Sequence, residues 1–216
     1  MYYSQSGEDK FLNEHFFKNK RDGFYVELGA CDGIMFSNTK FYEDTLGWSG
    51  ILIEPQPDFF DAIAKNRPKS KAYNCAIIDS DKPLEMKVRA WLHGDPVGTL
   101  TDASFDIHLE HWHSERSKSI LIHTRRLDEL LHENNVSVIH LFSLDVEGSE
   151  FEVLKTMDWS IPIGVFIIEM LHENEPKNAL CRDILKQNNF TYYSEMGGNE
   201  IWLGEKYTDI IGDVEK

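Results

Sequence analysis

A doubly wound, mostly parallel α/β sheet with helices on both faces, closed by a C-terminal antiparallel hairpin, is the fold this sequence predicts. Three observations carry the prediction. Apolar strand-like runs alternate along the chain with amphipathic helical ones, the pattern of crossover-connected parallel strands. Three of those runs stop at a carboxylate, Glu27, Glu54 and Asp145. The first opens into a loop bounded by Gly29 and Gly33, where such sheets place a ligand-binding turn.

Residues 6–18 carry Phe11, Leu12, His15, Phe16 and Phe17 at helical spacing behind a polar first turn. Ser4, Gln5 and Glu8 form a polar cluster there, able to supply capping or ligand hydrogen bonds. Residues 24–28 are aromatic and β-branched, hence a buried strand. Gly29 and Gly33 then admit positive φ and let a ligand lie against the backbone. They enclose Ala30, Cys31 and Asp32, a departure from G-x-G-x-x-G, and an acid in mid-loop repels a pyrophosphate but suits a cation. Ser37-Asn38-Thr39 leads into a short helix over 40–46, whose start offers polar side chains and free amides to a carboxylate. Residues 50–53 are a second apolar strand ending in Glu54 and Pro55, and Glu54 stands 25 residues after Gly29, where such folds bind ribose hydroxyls.

A helix over 57–66 and a third strand over 71–79 follow. By position in the fold, Ala76 and Ile77 wall an adenine ring, while Asp79 either reads its amino group or begins a turn. Residues 83–89 alternate as an extra strand and His93 to Pro96 make a turn. The polar stretch 101–117 interleaves aromatics with His108, His111 and His113; it lacks a zinc-ligand pattern and reads as a substrate-covering insert or a solvated helix. Strands over 120–124, 136–145 and 163–169 alternate with helices over 126–131, 149–157 and 176–188. A hairpin over 191–203 turns at Gly197-Gly198. The whole is expected to be one domain, 1–216, with an insert around 83–119.

Composition narrows the function classes. The formal charge of −15 makes capture of a nucleic acid unfavourable. No run approaches the roughly 20 apolar residues of a membrane helix, and the polar start is not a signal peptide, so a cytoplasmic protein is expected. Cys31, Cys75 and Cys181 have no metal-ligand spacing and read as reduced thiols.

Taken together, Ser4-Gln5-Ser6-Gly7-Glu8-Asp9, Glu27-Leu28-Gly29-Ala30-Cys31-Asp32-Gly33, Ser37-Asn38-Thr39, Gly47-Trp48-Ser49-Gly50, Ile53-Glu54-Pro55 and Leu144-Asp145-Val146-Glu147-Gly148-Ser149-Glu150 resemble the FkbM-type S-adenosylmethionine-dependent methyltransferases. The resemblance runs in order over nearly the whole chain and is weakest over 83–119. It implies the class I methyltransferase plan, S-adenosylmethionine as methyl donor, and a hydroxyl acceptor on a glycan, glycolipid or polyketide-type metabolite. It also implies that the N-terminal segment folds over the cofactor. The candidate cofactor contacts are Gln5, Glu27, Gly29, Ala30, Asp32, Ser37, Asn38, Glu54, Pro55, Ala76, Ile77 and Asp145.

Methyl transfer from a sulfonium is an in-line displacement, so alignment and water exclusion dominate. A hydroxyl acceptor also needs a base or a bound cation. Asp145 and His172 follow adjacent strands and are the candidate bases; alternatively Asp145, Glu169 and His172 hold Mg²⁺ or Mn²⁺. Trp91, Trp112 and Trp202 suggest stacking on sugars. Two rivals remain: a non-catalytic nucleoside- or glycan-binding module, distinguished by donor binding without transfer, and a nicotinamide-dependent oxidoreductase, which Asp32 disfavours.

Overall fold

A computed structural model describes residues 1–79, 83–89, 98–100 and 117–212. The expectations for Trp91, the turn at 93–96 and the stretch 101–116, with His108, His111, Trp112 and His113, lie outside the described residues.

Seven strands form the main sheet in the order β11-β12-β10-β9-β1-β2-β3. They are β1 Phe24–Leu28, β2 Ser49–Ile53, β3 Lys71–Tyr73, β9 Ile139–Leu144, β10 Ile163–Glu169, β11 Thr191–Met196 and β12 Asn199–Leu203. The pairs β1–β2, β1–β9, β9–β10 and β2–β3 are parallel, whereas β12 runs antiparallel to both β10 and β11. The sheet is thus doubly wound with an antiparallel hairpin edge. Its connection order reverses at β1, which pairs with β2 on one side and β9 on the other, and such a switch point opens a crevice at the strands' carboxyl ends.

The strands read as continuous apolar runs because both faces are covered. Val26, Leu28, Phe142 and Phe166 join one buried cluster, and their neighbours Tyr25, Leu141, Val165 and Ile167 join the other. Phe142 and Phe166 stack at 4.4 Å across β9 and β10.

Among the described residues the helices are Glu8–Leu12, continued by a π-helical turn Asn13–Phe17, then Lys40–Leu46, Pro57–Asn66, Leu127–Glu133, Glu150–Leu154, Glu175–Gln187 and Tyr207–Ile211. The third strand is shorter than its apolar run. After β3 the chain turns at Asn74, whose amide donates to the carbonyls of Glu54 and Pro55. Ala76–Ile77, β4, then leaves the main sheet to pair with β8, Thr124–Arg125. Beyond it, β5 Leu84–Arg89 pairs with β6 Gly98–Leu100 and β7 Ser117–Ile122 in a three-stranded antiparallel sheet. Asp79 forms an ion pair with Arg126 and does not line the cavity described below. Trp202 is not a stacking platform: it is buried in β12 with its indole N–H donated to Glu200 Oε2 at 2.9 Å. Among the described residues no helix is long and apolar enough to cross a membrane.

Candidate active site

The carboxyl ends of β1, β2, β9 and β10 surround a cavity of about 280 Å³. Gln5, Glu27, Gly29, Asn38, Glu54, Pro55, Ala76, Ile77, Asp145 and Glu169 all line it. Ala30, Asp32, Ser37 and His172 do not.

Close approach of two strand ends begins the site. Gly29 has φ +78°, and a Cβ there would stand 1.8 Å from the Asp145 carbonyl oxygen. The N–H groups of Gly29 and Ala30 both donate to the Ile53 carbonyl, and the Ala30 methyl is buried in the core. Asp32 closes the loop on itself, its Oδ1 accepting from the Ile34 and Met35 N–H groups at 2.8 Å each. The site loops are strained elsewhere too: Cys31, Phe36 and Glu147 hold positive φ, a cost usually stored at functional positions.

Glu27 is saturated. It accepts from Ser37 Oγ, from the Asn38 N–H at 2.8 Å and from Thr39 Oγ1 at 2.6 Å. Ser37 Oγ in turn accepts from the Thr39 and Lys40 N–H groups, which sets the start of the helix Lys40–Leu46. Asn38 thereby turns towards Ser143 Oγ, 3.0 Å away, and reaches the cavity wall.

Sequence reasoning missed Arg67, which underlies this arrangement. It is 1% exposed and spends its guanidinium on Glu43 at 2.8 Å, the Gly33 carbonyl at 3.0 Å, Ser37 Oγ at 3.2 Å, Tyr25 Oη at 2.6 Å and Thr39 Oγ1 at 2.9 Å. The only signal was an arginine between a helix and a proline, Asn66-Arg67-Pro68.

Glu54 is buried and holds two backbone groups, the Cys31 N–H on Oε2 at 2.9 Å and the Gln56 N–H on Oε1 at 2.8 Å. Burial pushes its carboxyl up to about 8, with Asp145 adding to the effect and the two backbone donors opposing it. Burial also pushes the Cys31 thiol well up, helped by Glu54 and Asp145, so this cysteine stays protonated.

Asp145 and Glu169 are joined by a side-chain hydrogen bond. Burial raises both, and Glu169 is raised well above the carboxylate range with Asp145, Glu147 and Glu150 contributing. Burial and the surrounding acids thus favour the proton on Glu169, with Asp145 as its acceptor. Glu150 ties the loop before it, accepting from the Val146 and Gly148 N–H groups at 3.1 Å each. His172 lies exposed in the turn His172–Asn174. Among the described residues no three His, Cys, Asp or Glu side chains group as metal ligands, so Asp145, Glu169 and His172 do not assemble one.

Five carboxylates, Glu27, Glu54, Asp145, Glu147 and Glu169, line the cavity, and no Lys, Arg or His does among the described residues. Glu27 is the one of these held 3.5 Å from Arg67. Such a wall fits a cation with a hydroxylated ribose and rejects a pyrophosphate. A doubly wound sheet with this acidic crevice at its switch point defines a nucleoside-cofactor fold of the methyltransferase type.

A model described as the methyltransferase FkbM domain matches residues 27–192, and the chain belongs to that family. S-Adenosylmethionine is the cofactor of this class, yielding S-adenosylhomocysteine. An FkbM methyltransferase from Methylobacillus flagellatus KT shares the fold at 13% identity and a TM-score of 0.50, over 86% of this chain and 44% of that one. This chain therefore spans less than half the length of that neighbour. A TehB-like methyltransferase from Corynebacterium glutamicum aligns at 9% identity and a TM-score of 0.41, over 93% and 88% of the two chains. A precorrin-6y C5,15-methyltransferase from Geobacter metallireducens GS-15 aligns at 8% identity and 0.46, over 90% and 84%. No curated protein matches the sequence.

Proposed function

We propose that this protein is an O-methyltransferase that moves the methyl group of S-adenosylmethionine to a hydroxyl of a small neutral acceptor, most naturally a sugar. The acidic cavity without a basic side chain among the described lining residues carries the reading. An ionised Asp145 in a low-dielectric crevice, with Glu54 drawn towards its charged form by a neighbouring cation, favours a sulfonium over its neutral product and repels anionic acceptors. The bound donor supplies an electrophilic methyl; the chain has to hold, orient and deprotonate the acceptor. Glu54, Asn38 and Gln5 are assigned to the donor, with Pro55, Ala76 and Ile77 as the apolar wall and Glu27 and Ser37 setting Asn38. Ala30 and Asp32 shape the loop behind it.

Asp145 is assigned as the base, because its carboxylate lines the cavity while His172 is exposed and outside the lining. The acceptor oxygen bonds the methyl carbon as the carbon–sulfur pair leaves with sulfur, and the acceptor proton passes to Asp145. Phe36, 47% exposed on the cavity wall, offers a ring face to a sugar. The test is incubation with methyl-labelled donor and a panel of neutral glycosides, sugar acids and polyketide alcohols, read by mass spectrometry. Label on the neutral glycosides is expected, whereas label confined to sugar acids or to none overturns the reading. Calorimetry with Glu54→Ala should show donor affinity lost.

A further inference from the structure

In the cavity that Asp145 lines, two buried polar atoms have no hydrogen-bond partner among the described residues: Ser149 Oγ and Glu169 Oε2. Ser149 is 2% exposed, and both residues line the cavity. A buried polar atom left unpaired is costly, so its place in a folded protein points to a partner that arrives later. The chemistry of that partner follows from the neighbouring acids. Because Oε2 has no partner, the Glu169 bond to Asp145 runs through the other carboxyl oxygen, and a proton held in that bond leaves Oε2 to accept. Asp145 likewise accepts only. Ser149 both donates and accepts.

A group complementary to two adjacent acceptors must bring two donors side by side. A single hydroxyl has one proton and satisfies one of them. A carboxylate or phosphate has none and meets an acidic wall. An ammonium brings enough donors, but the same carboxylates would hold it protonated and without a lone pair to methylate. Resting on the O-methyltransferase reading above, we propose that the acceptor is a vicinal diol: one hydroxyl donates to Asp145 and is methylated, while its neighbour donates to Glu169 Oε2 and accepts from Ser149 Oγ. Glu169 is then a specificity residue as well as the proton partner of the base. Its neutral form keeps the pair at a single negative charge, so the pair takes up the one proton that the reacting hydroxyl releases and passes it to solvent after transfer.

The experiment uses the chain saturated with S-adenosylhomocysteine and the probe methyl α-mannopyranoside, whose ring carries adjacent hydroxyls, with glucuronate as the anionic control. Binding is read by saturation-transfer NMR. The mannoside signal is expected in the wild type and in Glu169→Gln, whose amide donates to Asp145 and still accepts on its oxygen. It should fall about fivefold or more in Ser149→Ala and Glu169→Ala, as one lost hydrogen bond would require. Glucuronate should give no signal. Calorimetry with S-adenosylhomocysteine separates the two levels. No heat with the wild type overturns the donor reading and this proposal with it. Normal heat with an equal mannoside signal in wild type, Ser149→Ala and Glu169→Ala, or with none in the wild type, overturns the diol subsite alone. A further measurement needs no truncated variant: the infrared difference between wild type and Glu169→Gln should contain a protonated-carboxyl stretch at pH 7, and its absence overturns the proposal.

Discussion

The Arg67 guanidinium lies 3.5 Å from the Glu27 carboxylate, with both side chains buried beneath the loop that carries Cys31, Met35, Phe36 and Asn38 to the cavity. This pairing divides the acids of the site into two kinds. Glu27 is neutralised and spent on structure, whereas no basic side chain among the described residues pairs with Glu54, Asp145 or Glu169. Burial favours the protonated forms of Glu54 and Glu169, so the negative charge of the cavity rests first on Asp145, and Arg67 keeps Glu27 from adding to it. A cation at that depth also lets Glu43, which burial alone would raise, stay ionised below its ordinary range.

Removing Arg67 leaves two carboxylates buried without a countercharge, a change that costs about 3–5 kcal/mol. Arg67→Met should lower the urea midpoint accordingly, and Arg67→Lys should recover part of the loss, because an ammonium can pair one carboxylate but cannot span the fork of partners. S-Adenosylhomocysteine affinity should fall in both, since Ser37 and Asn38 lose their frame. An unchanged midpoint in Arg67→Met would show the network to be dispensable.

Stability should decline with pH across the neutral range. Glu54 has an ordinary carboxyl value of 4.5 and a folded value of about 8, so between those limits the folded chain holds a proton that the unfolded chain has released. Its contribution is fully present below pH 4.5, is lost as pH rises towards 8, and is flat above, with a slope of at most about 1.4 kcal/mol per unit. Asp145, Glu150 and Glu169, all raised by burial, act in the same direction. Urea unfolding at several pH values between 5 and 8 should show this fall, and Glu54→Gln should flatten it. A stability that climbs over the same interval contradicts the assignment.

The main sheet was legible because continuous apolar runs and their terminal acids are local signals. Phe24–Leu28, Lys40–Leu46 and Ile163–Glu169 lie where the sequence puts them. What escaped was long-range. Residues 71–79 read as one strand, yet the Asn74 amide is drawn to the Glu54 and Pro55 carbonyls 20 and 19 residues away, and that breaks the strand in two. Arg67 carries no local signal of its role because its partners, Tyr25, Glu27 and Glu43, come from other elements. Asp32 reads as a ligand because an acid in a glycine loop has two uses, and only coordinates show its Oδ1 turned to Ile34 and Met35. Trp202 sits on a hairpin that sequence places at an edge, whereas the opposite face of that strand is core.

Gly29→Ala is expected to be severe. The substitution strains a backbone at φ +78° and drives a methyl into the Asp145 carbonyl, so β1 and β9 must part at the cavity. A loss of about 3 kcal/mol or more, with S-adenosylhomocysteine binding abolished, is the expected result by denaturation and calorimetry. Gly198→Ala, also at positive φ but with open space around its Cβ, is the control that carries the strain without the collision. Equal losses in the two variants would mean that the approach of Gly29 to Asp145 contributes nothing.

Asp145→Asn and His172→Ala separate the two candidate bases. Asparagine keeps the shape of Asp145 and can hydrogen bond Glu169, but its amide takes no proton from an acceptor hydroxyl. Turnover should then fall by about 10²–10⁴-fold, the range for a lost general base, while S-adenosylhomocysteine still binds. His172 lies outside the cavity lining in an exposed turn, so its removal should leave turnover within about twofold, the scale of surface changes. The pH profile adds a second test, because a carboxylate base held partly protonated by burial gives activity that rises with pH and then levels off, with no further descent from an imidazole. Loss of turnover in His172→Ala with normal donor binding would return the role to the histidine and require the turn His172–Asn174 to fold inward over the acceptor.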